Sequence, residues 1–210
     1  MTPTNPNRRA EIIDAAERRF ASQGYLQTSV SEIIGDAGIA KGTFYHYFQS
    51  KESVMYAVID KNITLLKNQV ESYMAESTQP PLAQFTMILG GGFAPRRPET
   101  TAISTELEQD GNELMHMRAI DATINALIPP LADLLGRATA NGDIDCPNPN
   151  IAAAAILVLS AQLLDRDLLG WVKTCDIATI RNFGGVAERV IGAPTGTFAP
   201  IVDSFIASMP

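Results

Sequence analysis

Cysteine and histidine are scarce in this sequence, which holds two of each among 210 residues. Cys146 and Cys175 are typical of reduced thiols in a cytosolic protein rather than of a disulfide framework. So few potential ligands form no metal-binding cluster, and we expect no metal site. The triplet Gly90-Gly91-Gly92 lacks the lysine and hydroxyl of a phosphate-binding loop. We therefore expect no catalytic site and no cofactor, and we predict that the protein is not an enzyme.

A long hydrophobic run is also missing. The longest apolar stretch, from Ile151 to Ala161, contains Ser160 and falls short of the roughly 20 residues that a membrane span requires. The first eight residues have no apolar core of the kind that a signal peptide needs. We expect a cytoplasmic protein without a membrane partner.

Positive charge is in the minority, since 16 Lys and Arg face 23 Asp and Glu. The formal net charge of -7 argues at first sight against nucleic acid as a partner. Residues 1–51, however, hold six cations and five carboxylates, a net charge of +1, which leaves -8 for the other residues. A locally cationic surface can therefore coexist with an acidic body, and charge does not exclude DNA.

Helical periodicity dominates the sequence, and no run alternates as a strand does, so we predict an all-α fold. Near the N-terminus the pattern predicts three helices. The first covers about residues 7–22, the second begins at the possible capping box of Ser29 and Glu32, and the third covers about residues 40–48. Gly38 suits the tight turn between the second and third helices. This is the layout of a helix-turn-helix.

The remaining chain predicts further helices, over about 51–76, 82–89 and 103–140, with Pro129 and Pro130 expected to kink or divide the last of these. A helix over 151–172 is apolar on every side at its start, which requires burial on every side. This burial occurs within one chain, or helices 151–172 and 177–191 pair with those of a second copy as a four-helix bundle.

The third predicted helix carries side chains that suit DNA. Phe44 and Phe48 lie four residues apart and face inward. Gly42 lets the backbone approach phosphates or base edges closely, and Lys41 suits either a guanine edge or a phosphate. The residues left on or near the outer surface are Lys41, Thr43, Tyr45, His46 and Tyr47. The alternative is that Tyr45 and Tyr47 are ordinary packing aromatics.

Lys51 begins the fourth helix, where a cation opposes the helix dipole. An external anion such as a DNA phosphate would explain its placement.

These residues lie in a segment, from about Ile12 to Val54, that resembles the N-terminal domain of TetR-family transcriptional repressors. The motifs that carry the resemblance are Ile12-Ile13-Asp14-Ala15-Ala16, Phe20-Ala21-Ser22-Gln23-Gly24-Tyr25, Thr28-Ser29-Val30, Ala37-Gly38-Ile39, Lys41-Gly42-Thr43-Phe44-Tyr45-His46-Tyr47-Phe48 and Ser50-Lys51-Glu52. Beyond about Met55 the resemblance is one of architecture only.

The resemblance implies a homodimer that binds a palindromic double-stranded operator, with a helical C-terminal domain for dimerisation and for a small apolar effector that lowers DNA affinity. It also implies DNA contacts by Thr28 and Ser29 at the start of the second helix. Further implied contacts come from Lys41, Gly42, Thr43, Tyr45, His46 and Lys51. Two residues depart from the family pattern. Ala40 stands where a capping serine is frequent. Arg19 replaces an apolar residue and is expected to add to the DNA-facing charge.

Candidates for the effector site are adaptable apolar side chains and one imidazole, with ordinary core packing as the alternative for each. They are Met74, Phe85, Met87, Phe93, Met115, His116 and Trp171. The acidic run of Glu106, Glu108, Asp110 and Glu113 suits a solvated helix face better than a site for a cationic ligand.

The sequence thus predicts a helix-turn-helix DNA-binding domain over residues 1–50 and an effector-binding and dimerisation domain over 51–210. The predicted function is that of a ligand-responsive transcriptional regulator, a repressor. The alternative is a helical small-molecule carrier or interaction protein that does not use DNA.

Overall fold

A computed structural model of the chain describes residues 6–92, 97–108, 112–164 and 177–207. Within these ranges the chain forms ten helices and no strand, and the predicted all-α class is confirmed. The helices are α1 (Pro6–Gln23), α2 (Val30–Asp36), α3 (Lys41–Tyr47), α4 (Lys51–Glu76), α5 (Pro81–Leu89), α6 (Pro98–Leu107), α7 (Glu113–Asn141), α8 (Pro149–Leu164), α9 (Ile177–Ile191) and α10 (Ala199–Ala207).

The chain divides into two compact units. The first comprises Met1–Leu65 and Arg96–Ala119, and the second comprises Leu66–Pro95 and Ile120–Pro210. Because the boundaries fall inside α4 and α7, each of these helices has residues in both units. The predicted domain division at residue 50 remains a prediction. It is drawn between a DNA-binding and an effector-binding function, whereas the two compact units are defined by how the chain packs.

The first unit is built on one apolar core. Helix α1 packs against α2 and α6, and α2 packs against α3. Fully buried side chains of this core come from all four of the N-terminal helices, and they include Ile12, Phe20, Ile33, Phe44, Val54 and Met55. Helix α6 adds Ile103 and Leu107 to the same core. The helix-turn-helix therefore rests on α6 as well as on α4.

The second unit has its own core, in which α9 packs against α8 and α10. Phe85 of α5 and Phe198 meet edge to face with their ring centroids 6.2 Å apart. Gly184 allows α9 to lie close to the C-terminal helix, because a Cβ there would come within 3.0 Å of Val202. Helix α8 buries Ile156 completely but leaves Ile151, 66% exposed, on its surface.

The helix predicted from Ile103 onwards differs in part from the observed structure. Pro129 and Pro130 lie inside α7, which is a single helix from Glu113 to Asn141, so they do not divide it. Prolines remove backbone N–H donors, yet the turn that follows them carries Leu131, Leu134 and Leu135, all fully buried. Their packing keeps this segment helical despite the lost hydrogen bonds. The helix predicted over residues 103–140 is instead two helices, α6 and α7.

Other predictions fall partly outside the described residues. Helix α8 is described as far as Leu164, so its predicted end at residue 172 lies beyond, as do Phe93, Asp110, Trp171 and Cys175. Cys146 is a buried free thiol. Among the helices that the structure describes, none has the length and apolar character that crossing a membrane requires.

Candidate nucleic-acid interface

Helix α2 begins with the predicted capping box. The Glu32 backbone N–H donates to the Ser29 hydroxyl oxygen at 3.2 Å, and the Ser29 backbone N–H donates to Glu32 Oε2 at 2.7 Å. The Ser29 hydroxyl itself donates to the same carboxylate oxygen at 2.8 Å. These bonds satisfy amides that a helix start leaves without partners, and they fix the first turn of α2.

A tight turn then sets the direction of α3. Gly38 has a φ of +61°, in the left-handed region that glycine adopts without strain. The Ile39 backbone N–H donates to the Ile34 carbonyl at 3.2 Å, which closes the end of α2. Phe44 and Phe48 are then buried beneath α3, as predicted. The opposite face of α3 must consequently point outward.

That outward face carries most of the predicted DNA contacts. Tyr45 is 49% exposed and packs edge to face on Phe44, with ring centroids 5.3 Å apart. Apart from its chain neighbours and the backbone of α3, no described atom lies within 4 Å of the position where Gly42 would carry a Cβ, so this position is open to an approaching partner. The other members are Lys41 and His46, which are exposed, and Thr43 and Tyr47, which are half-buried. The structure brings these side chains together on one short helix.

Two predicted contact residues are placed differently. Thr28 is only 2% exposed, and its hydroxyl donates to the Gly24 carbonyl at 2.7 Å. Lys51 Nζ donates to the carbonyls of Tyr25 at 2.6 Å, Leu26 at 3.3 Å and Thr28 at 2.8 Å. Both polar groups are therefore committed to the loop between α1 and α2. The structure does not bring them to the outward face of α3.

Glu106 is a residue of this region that sequence reasoning missed. Its side chain extends from α6 and accepts a hydrogen bond from the Tyr25 backbone N–H at 2.5 Å. The residue is 7% exposed, so the expectation that the whole acidic run is solvated is wrong for Glu106. Glu108 and Glu113 are exposed as expected. No local signal could have revealed the contact, because the two residues are 81 positions apart.

Arg19 adds less free charge than predicted. Its guanidinium donates to both carboxylate oxygens of Asp36 and lies 3.8 Å from Glu32. The hydrogen bond with Asp36 raises the pKa of Arg19 and lowers that of the Asp36 carboxyl. The arginine is thus neutralised by the acids of α2 rather than directed at a partner.

Arg9 is a second residue that the site predictions left out. Its guanidinium carbon lies 5.2 Å from the centre of the Phe48 ring, a cation-π contact at the end of α3. The exposed Arg9 side chain thereby supplies a cation beside the α3 face. The signal for it in the sequence was its position on the first helix, in a cluster with Arg8.

The candidate effector residues divide between the units. Met115 packs at the edge of the first core, and His116 Nδ1 lies 3.1 Å from the Leu107 carbonyl oxygen. In the second unit, Phe85 is fully buried and Met74 packs at the edge of the core. Met87 lies against Gly92. Their role in binding an effector remains a prediction.

Comparison with known proteins supports the helix-turn-helix interpretation. A family model for bacterial regulatory proteins of the tetR family matches residues 12–58. The chain is 27% identical over 135 residues to the fatty acid metabolism regulator protein of Bacillus subtilis, which covers 64% of this chain and 69% of that protein. It is 34% identical over 80 residues to the transcriptional repressor KstR2 of Mycolicibacterium smegmatis, and the match covers 38% of this chain and 39% of KstR2. The chain thus spans less than half the length of the second relative.

Likeness to solved structures extends over nearly the whole chain. The crystal structure of RolR in complex with the ligand resorcinol has a TM-score of 0.63 with this chain and covers 98% of it and 95% of RolR. At 19% identity this likeness establishes the shared fold, an N-terminal helix-turn-helix followed by further helices.

Proposed function

Because the chain belongs to the TetR family of bacterial regulatory proteins, we propose that it represses transcription by binding a palindromic operator as a homodimer. A small apolar effector releases it from the DNA. Residues 1–50 bind the operator, and residues 51–210 dimerise and bind the effector. The observation that carries this proposal is the outward face of α3, which holds polar, cationic and phenolic groups above a core of Phe44 and Phe48.

In this proposal α3 enters the major groove and α2 crosses the DNA backbone. At the start of α3, Lys41 contacts a phosphate beside a guanine edge and Thr43 contacts a base edge. Tyr45 and His46 contact phosphates, with Tyr47 and the backbone of Gly42 beside them. Ser29 reaches a phosphate from the start of α2. Lys41 on this short helix and Arg9 beside its end attract DNA locally, so binding falls with added salt.

The second copy docks through α8 and α9 in this proposal. Val158 and Leu159 on α8, and Ile177 and Val186 on α9, are exposed in the single chain. Apart from its chain neighbours and the backbone of α9, no described atom lies within 4 Å of the position where Gly185 would carry a Cβ, which leaves room for close approach of another helix. Exposed apolar side chains on two helices that pack together suit a four-helix bundle formed by two chains. The proposed interface includes residues 151–172 and 177–191.

An apolar effector suits the second unit because its core and the edges of that core are built from aliphatic, methionine and aromatic side chains. RolR, which shares the fold, binds the aromatic ligand resorcinol, and the Bacillus subtilis relative regulates fatty acid metabolism. Binding would favour a state in which the two recognition helices no longer match the ~34 Å separation of successive major grooves.

The central experiment is direct DNA binding. The protein would select duplexes from a random library, and fluorescence anisotropy would measure the affinity for the selected duplex at several salt concentrations. We expect a palindromic sequence, salt-dependent binding and two chains per duplex. A protein that is folded and binds fatty acids or phenols in a thermal-shift screen but selects no sequence would be a small-molecule carrier instead. Relief of DNA binding by a ligand from that screen tests the effector.

A further inference from the structure

Lys51 has its hydrogen-bonding capacity committed inside the protein. A lysine ammonium has three N–H donors. Three carbonyl oxygens of the loop between α1 and α2, those of Tyr25, Leu26 and Thr28, lie within 3.3 Å of Nζ. Nζ also lies 4.3 Å from the centre of the Tyr25 ring, a cation-π contact. A phosphate could gain this ammonium only by displacing one of the carbonyls.

The same loop is held from its other side by Glu106. Both backbone polar groups of Tyr25 are held, since its N–H donates to the Glu106 carboxylate and its carbonyl accepts from Lys51. Glu106 also lies against Gly24, where a Cβ would come within 3.0 Å of Oε2 and where φ is +87°. Asn112 donates to the Glu106 backbone carbonyl at 2.8 Å, which anchors the end of α6. Burial lowers the pKa of Lys51, and the Glu106 charge acts in the opposite direction.

This loop sets the start of α2. Its last residue, Ser29, is the N-cap of that helix, and Thr28 precedes it with its carbonyl bound to Lys51. The direction of α2 in turn fixes α3 through the turn at Gly38. Movement of the loop would therefore misplace both helices of the helix-turn-helix.

We propose that Lys51 and Glu106 are positioning residues for DNA binding, which fix the loop of residues 24–29 and through it α2 and α3, and that Lys51 does not act by neutralising a phosphate. The inference rests on the proposed function, because it concerns how the same DNA-binding surface is held. It also assigns Glu106, an acid on α6, to the DNA-binding machinery.

The dependence of affinity on salt separates the two roles of Lys51. Loss of a phosphate contact lowers the slope of log K against log salt concentration by about 0.9 per contact, hence by about 2 in a dimer that loses two. The probe is the duplex that the wild-type protein selects. We expect Lys51→Met to weaken binding by about 10-fold or more with an unchanged slope, since hydrogen bonds to a charged group are lost. Lys41→Met, on the outward face, is the matched control and is expected to lower the slope.

Hydrogen exchange in the free protein provides the second measurement. We expect peptides that cover residues 24–29 to exchange faster in Lys51→Met and in Glu106→Ala than in the wild type. Lys51→Arg and Glu106→Gln keep donors and an acceptor, respectively, and are expected to restore much of both the protection and the affinity. Ile144→Val, in the second core and outside the proposed dimer interface, controls for lower stability alone, and is expected to change neither loop exchange nor affinity.

Each outcome decides a separate question. A Lys51→Met slope that falls as far as that of Lys41→Met, or unchanged loop exchange in both Lys51→Met and Glu106→Ala, overturns the positioning role. Failure of the wild-type protein to select any duplex overturns the proposed function instead. The exchange measurement needs no DNA, so it still determines whether these two side chains hold the loop.

Discussion

Arg19 on α1 and Asp36 on α2 are joined by two hydrogen bonds, from Nε to Oδ2 at 2.5 Å and from Nη2 to Oδ1 at 2.7 Å. This two-point pair connects the first two helices along an exposed edge. The hydrogen bond from Arg19 lowers the pKa of Asp36, and the bonds from Ser29 lower the pKa of the neighbouring Glu32. The start and the end of α2 are thus both held by ionised carboxylates.

Acid is expected to weaken this connection. A carboxyl group whose pKa is lowered by folding stabilises the fold above its ordinary pKa, and the contribution is lost as the pH falls through the lower, folded value. The ordinary pKa of Asp36 is 3.8. We therefore expect Asp36→Asn to lower the Tm slightly at pH 7 and to have a smaller effect in acid, well below pH 3.8. Thermal unfolding followed by circular dichroism measures both.

The control for this experiment is Asp133→Asn. Asp133 lies 3.6 Å from Arg137, one turn along α7, in an exposed pair. Such pairs contribute little to stability, so its Tm should stay close to that of the wild type at either pH. An equal loss of Tm at both pH values in Asp36→Asn would show that the ion pair is not what the substitution removes.

Ala40 offers a way to stabilise α3. It occupies the N-cap with extended backbone angles, a φ of -74° and a ψ of 151°, and provides no side-chain hydrogen bond. A serine hydroxyl at this position can accept an amide from the first turn, so we expect Ala40→Ser to raise the free energy of unfolding by about 1 kcal/mol. Urea denaturation measures the change. Ala10→Ser, inside α1, is expected to lower it by roughly 0.5 kcal/mol, and a gain for both substitutions would contradict the capping explanation.

The elements that sequence reasoning predicted well depend on neighbouring residues. The capping box of Ser29 and Glu32 spans one helical turn, and the inward placement of Phe44 and Phe48 follows from their spacing of four. The start of α4 at Lys51 and its end at Glu76 also follow from local signals. Such features are encoded where they occur, so one sequence is enough to find them.

What escaped prediction depends on packing between distant segments. Thr28 looks like a surface residue at the start of a helix, yet it is buried because the loop folds under the end of α1. Lys51 and Glu106 meet at Tyr25 only because α4 and α6 both pack beside α1 in the first core. A charge pattern along the chain contains no information about such partners, and Glu106 therefore appeared to be part of a solvated acidic face.

A matched pair of substitutions can test the proposed dimer interface. Val158 on α8 is 45% exposed and lies in the proposed interface, whereas Leu114 at the start of α7 is 59% exposed and lies outside it. Burying an unpaired carboxylate in an apolar interface is costly, so we expect Val158→Asp to shift the protein from dimer to monomer at micromolar concentration. Sedimentation equilibrium measures the shift. Leu114→Asp should remain dimeric, and a dimer that withstands Val158→Asp would place the interface elsewhere.

Tyr45 provides the sharpest test of the outward face of α3, because its ring and its hydroxyl have separate roles. The ring packs on Phe44, and Tyr45→Phe preserves that contact while removing the group proposed to reach a phosphate. A neutral hydrogen bond contributes about 1 kcal/mol, so we expect affinity for the selected duplex to fall about 3- to 10-fold with an unchanged Tm. The hydroxyl of Tyr56 donates to Glu52 at 2.9 Å within the protein, which makes Tyr56→Phe the control. Since only the first hydroxyl is proposed to touch DNA, equal losses of affinity in both variants would mean that the phenol at position 45 acts through the fold and not through a phosphate.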